Sequence, residues 1–139
     1  MPSYLADATI WAWARRFRHL QGKLRERIHT GELATCVPVA LEMLHSARDG
    51  HEYDRYLTRL QRVAWLPLPV TASRRALAVQ RALAHTTHGA HRLPAIDYLV
   101  AAVAEEHGAM LWHLDRDLAR LCAFAGQSHE HERLPGRAR

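Results

Sequence analysis

The sequence lacks the features that mark secreted or membrane proteins. Its 139 residues contain only two cysteines, Cys36 and Cys122, too few for a disulfide framework and without C-x-x-C spacing. No apolar run approaches the roughly 18 uncharged residues of a membrane helix. The N-terminus has neither the basic region nor the small-residue cleavage site of a secretory signal. We therefore expect a cytoplasmic protein without a membrane segment.

Lysine is also scarce, because Lys23 is the only one among the 19 Lys and Arg residues, and the net charge of +5 rests on arginine. A basic surface suits a polyanionic partner such as RNA. One basic block holds Arg15, Arg16, Arg18, Lys23, Arg25 and Arg27, and a second holds Arg74, Arg75 and Arg81. These side chains either contact phosphate, solvate helix faces or meet an acidic protein, and Arg15, Arg16 and Arg116 are the candidate RNA contacts.

Apolar strands alternate with helical patterns along the whole chain, which predicts one α/β domain over residues 1–139 with a mainly parallel sheet. The expected strands cover residues 4–6, 33–37, 65–70 and 109–114. The expected helices cover residues 9–28 with a break near Gln21 and Gly22, 39–48 ended by Gly50, 52–66, 72–85 capped by Thr71, 95–107 and 115–125. Residues 126–139 are expected to form a polar tail or a short edge strand.

Five of the fourteen acidic residues lie in apolar surroundings: Asp7, Glu42, Asp97, Asp115 and Asp117. Asp7 and Asp115 stand where strands end, and Glu42 and Asp97 stand in the first turns of apolar helices. A parallel sheet brings such positions to one edge, where ligands bind in this class of fold. Eight other acids lie on segments expected to face water: Glu26, Asp49, Glu52, Asp54, Glu105, Glu106, Glu130 and Glu132.

Converging carboxylates repel one another and do not all ionise unless a cation joins them. Mg²⁺ or Mn²⁺ suits such oxygen ligands and keeps waters for phosphodiester hydrolysis. The alternative is structural: each aspartate caps a helix or favours its dipole, and Glu42 pairs with an arginine. His85, His88 and His91 also have a spacing that zinc could use, but a helix end and a glycine loop separate them, so their rings need not converge.

The order of these acids resembles that of PIN-domain ribonucleases of the VapC toxin type, over about residues 4–125. The matching stretches are "LADAT" with Asp7 and Thr9, "PVALEML" with Glu42, "PAIDYLVAAVAEEHG" with Asp97, and "WHLDRD" with Asp115 and Asp117. Two positions depart from the family pattern: Leu118 replaces an aromatic residue, and the hydroxyl comes from Thr9 rather than the commoner serine.

The resemblance implies a PIN-like three-layer sandwich with a central, mainly parallel sheet of four to five strands. It implies an Mg²⁺- or Mn²⁺-dependent endoribonuclease in which a metal-activated water attacks the RNA phosphodiester and translation stops. Asp7, Glu42, Asp97 and Asp115 would be catalytic and hold the metal, with Thr9 and Asp117 as auxiliary residues. The implied partners are RNA, a small VapB-like antitoxin and a second copy of the chain. The alternative is a non-catalytic basic α/β module that binds RNA or protein.

Overall fold

Five short strands form one parallel sheet in the computed structural model, which describes residues 2–134. The strands are β1 (Tyr4–Ala6), β2 (Leu33–Cys36), β3 (Ala64–Leu66), β4 (Met110–His113) and β5 (His129–His131). Their order is β3-β2-β1-β4-β5, and all four neighbouring pairs are parallel. The predicted α/β class is confirmed, and the short edge strand expected after residue 126 is β5.

Seven helices connect and flank the strands within residues 2–134. They are α1 (Ala8–Ala14), α2 (Arg18–His29), α3 (Val37–His45), α4 (Gly50–Leu60), α5 (Val70–Ala84), α6 (Ala95–Glu106) and α7 (Arg116–Ala125). Helix α3 packs against α1, α4 and α6, and α6 also packs against α5 and α7. The loose tail expected over residues 135–139 lies outside the described residues, and the single-domain assignment of the whole chain stays a prediction.

The core lies on the two central strands, β1 and β4. Leu5, Leu111 and Trp112 are completely buried, as expected for parallel strands covered on both faces. Because β1 pairs with β4 in parallel register, with Ala6 opposite Trp112, the two strands end side by side. This register brings the residues that follow β1 close to those that follow β4.

Four predicted helix boundaries are wrong. The helix expected over residues 52–66 ends at Leu60, because residues 64–66 pair with β2 as β3, and the strand expected over residues 65–70 ends at Leu66 before α5 begins at Val70. The first helical stretch breaks at Phe17, which is extended (φ −122°, ψ 112°), whereas Gly22 continues α2. Gly50 opens α4 instead of ending the preceding helix, since the Asp49 side chain accepts the Glu52 backbone N–H and caps the new helix. Thr71 lies inside α5, and its hydroxyl donates to the Glu106 carboxylate rather than capping the helix.

Membrane insertion was not expected from the sequence. No helix within residues 2–134 is both long and apolar enough to cross a bilayer.

Candidate active site

Asp7 stands directly after β1 and is 1% exposed. Its Oδ2 accepts the Thr9 hydroxyl at 2.7 Å and the Thr9 backbone N–H at 3.2 Å. The Thr9 oxygen in turn accepts the backbone N–H of Leu114 at 3.0 Å. Thr9 therefore ties the Asp7 carboxylate to the segment between β4 and α7. The other oxygen of Asp7, Oδ1, is buried without a hydrogen-bond partner.

Asp115 occupies the matching position after β4. Its Oδ1 caps α7 by accepting the backbone N–H groups of Asp117 at 2.8 Å and Leu118 at 3.3 Å. The helix-cap interpretation thus describes Asp7 and Asp115 correctly, but it does not exclude a second role. Both caps fix a carboxylate at the carboxyl end of one of two paired strands.

Asp97 has no capping role that would account for its burial. It lies in the first turn of α6, is 3% exposed, and its Oδ2 has no hydrogen-bond partner. Burial and then the charges of Asp115, Asp7 and Glu42 together raise the pKa of Asp97 to about 8. A buried carboxyl without partners is costly to ionise, so this position is unfavourable for a residue that serves packing alone.

Glu42 completes the group from α3, where it is half-buried. Burial raises the pKa of Glu42, and the charges of Asp7 and Asp115 raise it further. The pKa of Asp7 is raised by burial and also by Asp115. The four acids predicted from the sequence therefore lie close enough to repel one another. Asp117 is more exposed, and its closest cation is Arg120, at 3.9 Å.

The acidic group has no neutralising cation among residues 2–134. No basic side chain of these residues lies within 4.0 Å of the carboxylate oxygens of Asp7, Glu42, Asp97 or Asp115. In a protein of net charge +5, Glu42 therefore pairs with no arginine of the described residues, unlike the expected structural alternative. Like charges held together in this way form a ready site for an external cation.

A cleft of about 320 Å³ opens beside the acids between α1 and α3. Thr9, Arg15 and Glu42 contribute its polar side chains together with Ser46. Arg15, one of the three candidate RNA contacts, thus lines the same cleft as Glu42. Arg16 is exposed with its guanidinium 5.5 Å from the Trp13 ring centre, and Arg116 is exposed at the start of α7; neither lines this cleft.

Two acids expected to face water are buried instead. Glu132 is 6% exposed and accepts from Lys23 at 2.9 Å and from the Trp112 ring N–H at 3.1 Å. Glu52 is 7% exposed and accepts from Arg48 at 2.8 Å. The partner of Glu132 is not visible in the local sequence, because Lys23 lies 109 residues away. The partner of Glu52 is local, since Arg48 lies four residues before it, so the i,i+4 spacing could have indicated this pair.

The first basic block also divides into two parts. Lys23 and Arg27 pair with Glu130 of β5, at 2.7 and 3.1 Å, and the Arg27 guanidinium lies 3.7 Å from the Tyr4 ring centre. These two residues are structural. Arg15, Arg16, Arg18 and Arg25 remain exposed.

His113, Cys122 and His129 form a tighter group of possible metal ligands, with ligand atoms within 4.8 Å of one another. This is the only such group among residues 2–134. The carboxylate oxygens of the four acids are therefore spaced more widely than the ligand atoms of this group. His113 Nδ1 accepts the Asp115 N–H at 3.1 Å, which leaves the ring proton on Nε2, facing His129 Nδ1 at 2.9 Å. A metal-binding histidine normally donates from its second nitrogen, so this arrangement is a hydrogen-bond chain that supports Asp115.

The histidines at 85, 88 and 91 do not form a comparable group within the described chain. The zinc site that their spacing allows is therefore absent there.

The fold and this site define a class of nuclease-like domain, and comparisons with known proteins identify it. The PIN domain family model matches residues 4–123. Ribonuclease VapC18 of Mycobacterium tuberculosis is 32% identical over 128 residues, covering 91% of this chain and 93% of the relative. Ribonuclease VapC21 of Mycobacterium tuberculosis is 34% identical over 137 residues, covering 97% of each. The chain belongs to the PIN-domain family and, within it, to the VapC ribonucleases.

Solved structures agree with this fold. DNA-bound VapBC from Salmonella typhimurium superposes with a TM-score of 0.74 at 14% identity, covering 94% of this chain and 98% of that chain. VapBC2 from Rickettsia felis, bound to a promoter DNA fragment, gives 0.75 at 14% identity with the same coverage. The family expected from the sequence is confirmed, and so is the PIN-like sandwich.

Proposed function

We propose that this protein is the toxin of a toxin–antitoxin pair and a metal-dependent endoribonuclease that stops translation by cutting RNA. The observation that carries the proposal is the group of four repelling carboxylates that no cation of residues 2–134 neutralises. The ribonuclease names of the full-length relatives support the reaction class. A binding module whose acids only capped helices would not need Asp97 buried and without a partner.

The donor set fits Mg²⁺ or Mn²⁺. Asp7 Oδ1 and Asp97 Oδ2 are buried oxygens without partners, and hard carboxylate oxygens are the ligands that these ions prefer. Asp7, Asp97 and Asp115 would hold the ion with Glu42, and waters in its shell would span the wider spacing of the oxygens. When bound, the ion supplies Lewis acidity at the phosphoryl group and lowers the pKa of a coordinated water.

The remaining chemistry comes from the protein. Thr9 fixes Asp7 through its hydroxyl, and the helix cap fixes Asp115 through Oδ1, which leaves Oδ2 for the ion. Glu42 lines the cleft, and its raised pKa suits it to accept a proton from the attacking water. Asp117, half-exposed beside Asp115, serves as an auxiliary acid.

The partners follow from the same class. Solved structures of similar fold include a toxin–antitoxin complex from Klebsiella pneumoniae and VapBC-5 of Mycobacterium tuberculosis. We therefore propose a VapB-like antitoxin that covers the acidic pocket, a homodimer of the toxin, and action in the cytoplasm on RNA.

Cleavage of RNA by antitoxin-free protein tests the proposal. Wild type should cut RNA with Mg²⁺ and stop with EDTA, and Asp97→Asn should lose at least about 100-fold in rate, since even supporting residues of metal sites contribute 10–100-fold. Asp54→Asn is the matched control, because Asp54 is exposed on α4. Asp97→Asn cutting at the wild-type rate would overturn the assignment.

A further inference from the structure

A groove lined by arginines continues from the acidic site across α2 and α4. Arg15 lines both the cleft at Glu42 and a second cleft of about 470 Å³. Arg59 lines both that second cleft and a third of about 200 Å³. Neighbouring clefts therefore share a wall, formed by Arg15 between the first and second and by Arg59 with Gln21 between the second and third. The part beyond the acids, called the arginine groove here, is lined by Arg15, Arg25, Arg55, Arg59 and Arg62.

Three of the arginines in this groove lack counter-ions among the described residues. Within residues 2–134, no carboxylate lies within 4.0 Å of Arg15, Arg59 or Arg62, whereas Arg55 contacts Glu52 at 3.6 Å. The pKa of Arg59 is lowered, first by burial and then by the charges of Arg15 and Arg62. An arginine that is half-buried among other arginines is destabilising for the free protein. An external anion would relieve that repulsion.

Arg15 is held in place where the groove meets the acidic site. Its guanidinium lies 4.4 Å from the centre of the Tyr56 ring, and Tyr56 is buried. This cation–π contact orients the guanidinium without neutralising it. A planar guanidinium presented in this way can bind a phosphate with two parallel hydrogen bonds.

We propose that the arginine groove binds the phosphate backbone of the RNA strand whose cleaved phosphate lies at the acidic site, so that the strand runs from Glu42 past Arg15 to Arg59 and Arg62. This inference rests on the proposed ribonuclease function. An RNA backbone is favoured over an acidic protein segment because Arg15 borders both the arginine groove and the cleft at Glu42, near which a phosphodiester must lie to be cut. The carboxylates of an acidic protein segment would be repelled by the acids at that site.

Salt-dependent RNA binding tests the groove separately from cleavage. Affinity of a labelled single-stranded RNA is measured in EDTA over a series of KCl concentrations. Each lost phosphate contact reduces the slope of log K against log salt by about 0.7 for single strands. Arg59→Gln/Arg62→Gln should therefore reduce the slope by about 1.4 and weaken binding by roughly tenfold at low salt. Arg74→Gln/Arg81→Gln on α5 is the charge-matched control and should reduce the slope much less.

The single variant Arg62→Gln keeps the test valid if the double variant does not fold, because Arg62 is exposed. Its slope should fall by about 0.7. Equal slopes for groove and control variants overturn the proposal. The proposal is also overturned if the binding of a polyglutamate peptide depends on Arg59 and Arg62 while the binding of RNA does not.

Cleavage of the same RNA separates this proposal from the proposed function. Mg²⁺-dependent cleavage with no effect of the groove variants on binding rejects the groove and keeps the ribonuclease. Groove-dependent binding without Mg²⁺-dependent cleavage rejects the ribonuclease and keeps the groove as an RNA-binding surface.

Discussion

Acidic side chains at two places near the paired strands β1 and β4 have opposite surroundings. Beside β5, Glu130 and Glu132 meet Lys23 and Arg27, and the pKa of Glu130 is lowered, since its hydrogen bonds to Arg27 and Lys23 outweigh burial. After β1 and at the start of α6, Asp7 and Asp97 meet no cation of residues 2–134, and burial raises the pKa of both. The chain thus neutralises acids that hold the fold together and leaves four acids unneutralised at one place. This difference separates structural acids from those available to a cation.

The largest effect should come from Asp97 as pH changes. In the metal-free protein the Asp97 carboxyl keeps its proton up to about pH 8, compared with an ordinary value of 3.8. Between these pH values the folded chain binds more protons at Asp97 than the unfolded chain does. The destabilisation caused by Asp97 is therefore absent below about pH 4 and grows as pH rises towards 8. Asp97→Asn should remove this destabilisation and be more stable than wild type by up to about 5 kcal/mol near pH 8.

Urea unfolding in EDTA between pH 4 and 8 measures this difference. Asp54→Asn serves as the control and should follow wild type at every pH. Parallel curves for wild type and Asp97→Asn would mean that Asp97 is not buried among like charges.

Glu132→Gln should destabilise the protein, whereas Asp97→Asn should stabilise it. The amide still accepts from Trp112, but the charge facing Lys23 is lost from a side chain that is 7% exposed. Removing one member of such a pair should lower the free energy of unfolding by about 2 kcal/mol. The exposed pair of Arg75 and Glu105 provides the control, and Glu105→Gln should cost no more than about 0.5 kcal/mol. Equal losses in urea unfolding would remove the distinction between the two places.

Thr9 should show a smaller effect. Thr9→Val keeps the shape but removes the hydroxyl that donates to Asp7 and accepts from Leu114. We expect a loss of about 1 kcal/mol in stability and about tenfold in RNA cleavage. Thr9→Ser keeps the hydroxyl and should restore the rate, whereas equal rates for the valine and serine variants would mean that the hydroxyl does not position Asp7.

The sequence was sufficient to predict the acidic site because each of its acids interrupts an apolar segment. Asp7 and Asp115 follow strands with strong hydrophobic patterns, and a parallel sheet places both at one edge. The burial of Glu132 could not be predicted, since its partner Lys23 is distant in sequence. The break at Phe17 was missed because Gly22 carries the stronger local signal, yet Gly22 lies inside α2 between the buried Leu20 and Leu24. The arginine groove depends on α2 and α4 meeting, which no local pattern reveals.

Thermal unfolding under a titration of Mg²⁺ tests the central claim most directly. An ion that binds only the folded protein stabilises it by RT ln(1 + [L]/Kd), about 2.7 kcal/mol at 100 times Kd. The Tm of wild type should therefore rise with Mg²⁺, and the Tm of Asp97→Asn should start higher and rise far less. A wild-type Tm that does not respond to Mg²⁺ or Mn²⁺, or that rises equally in Asp97→Asn, would contradict the claim that these acids together hold a divalent cation.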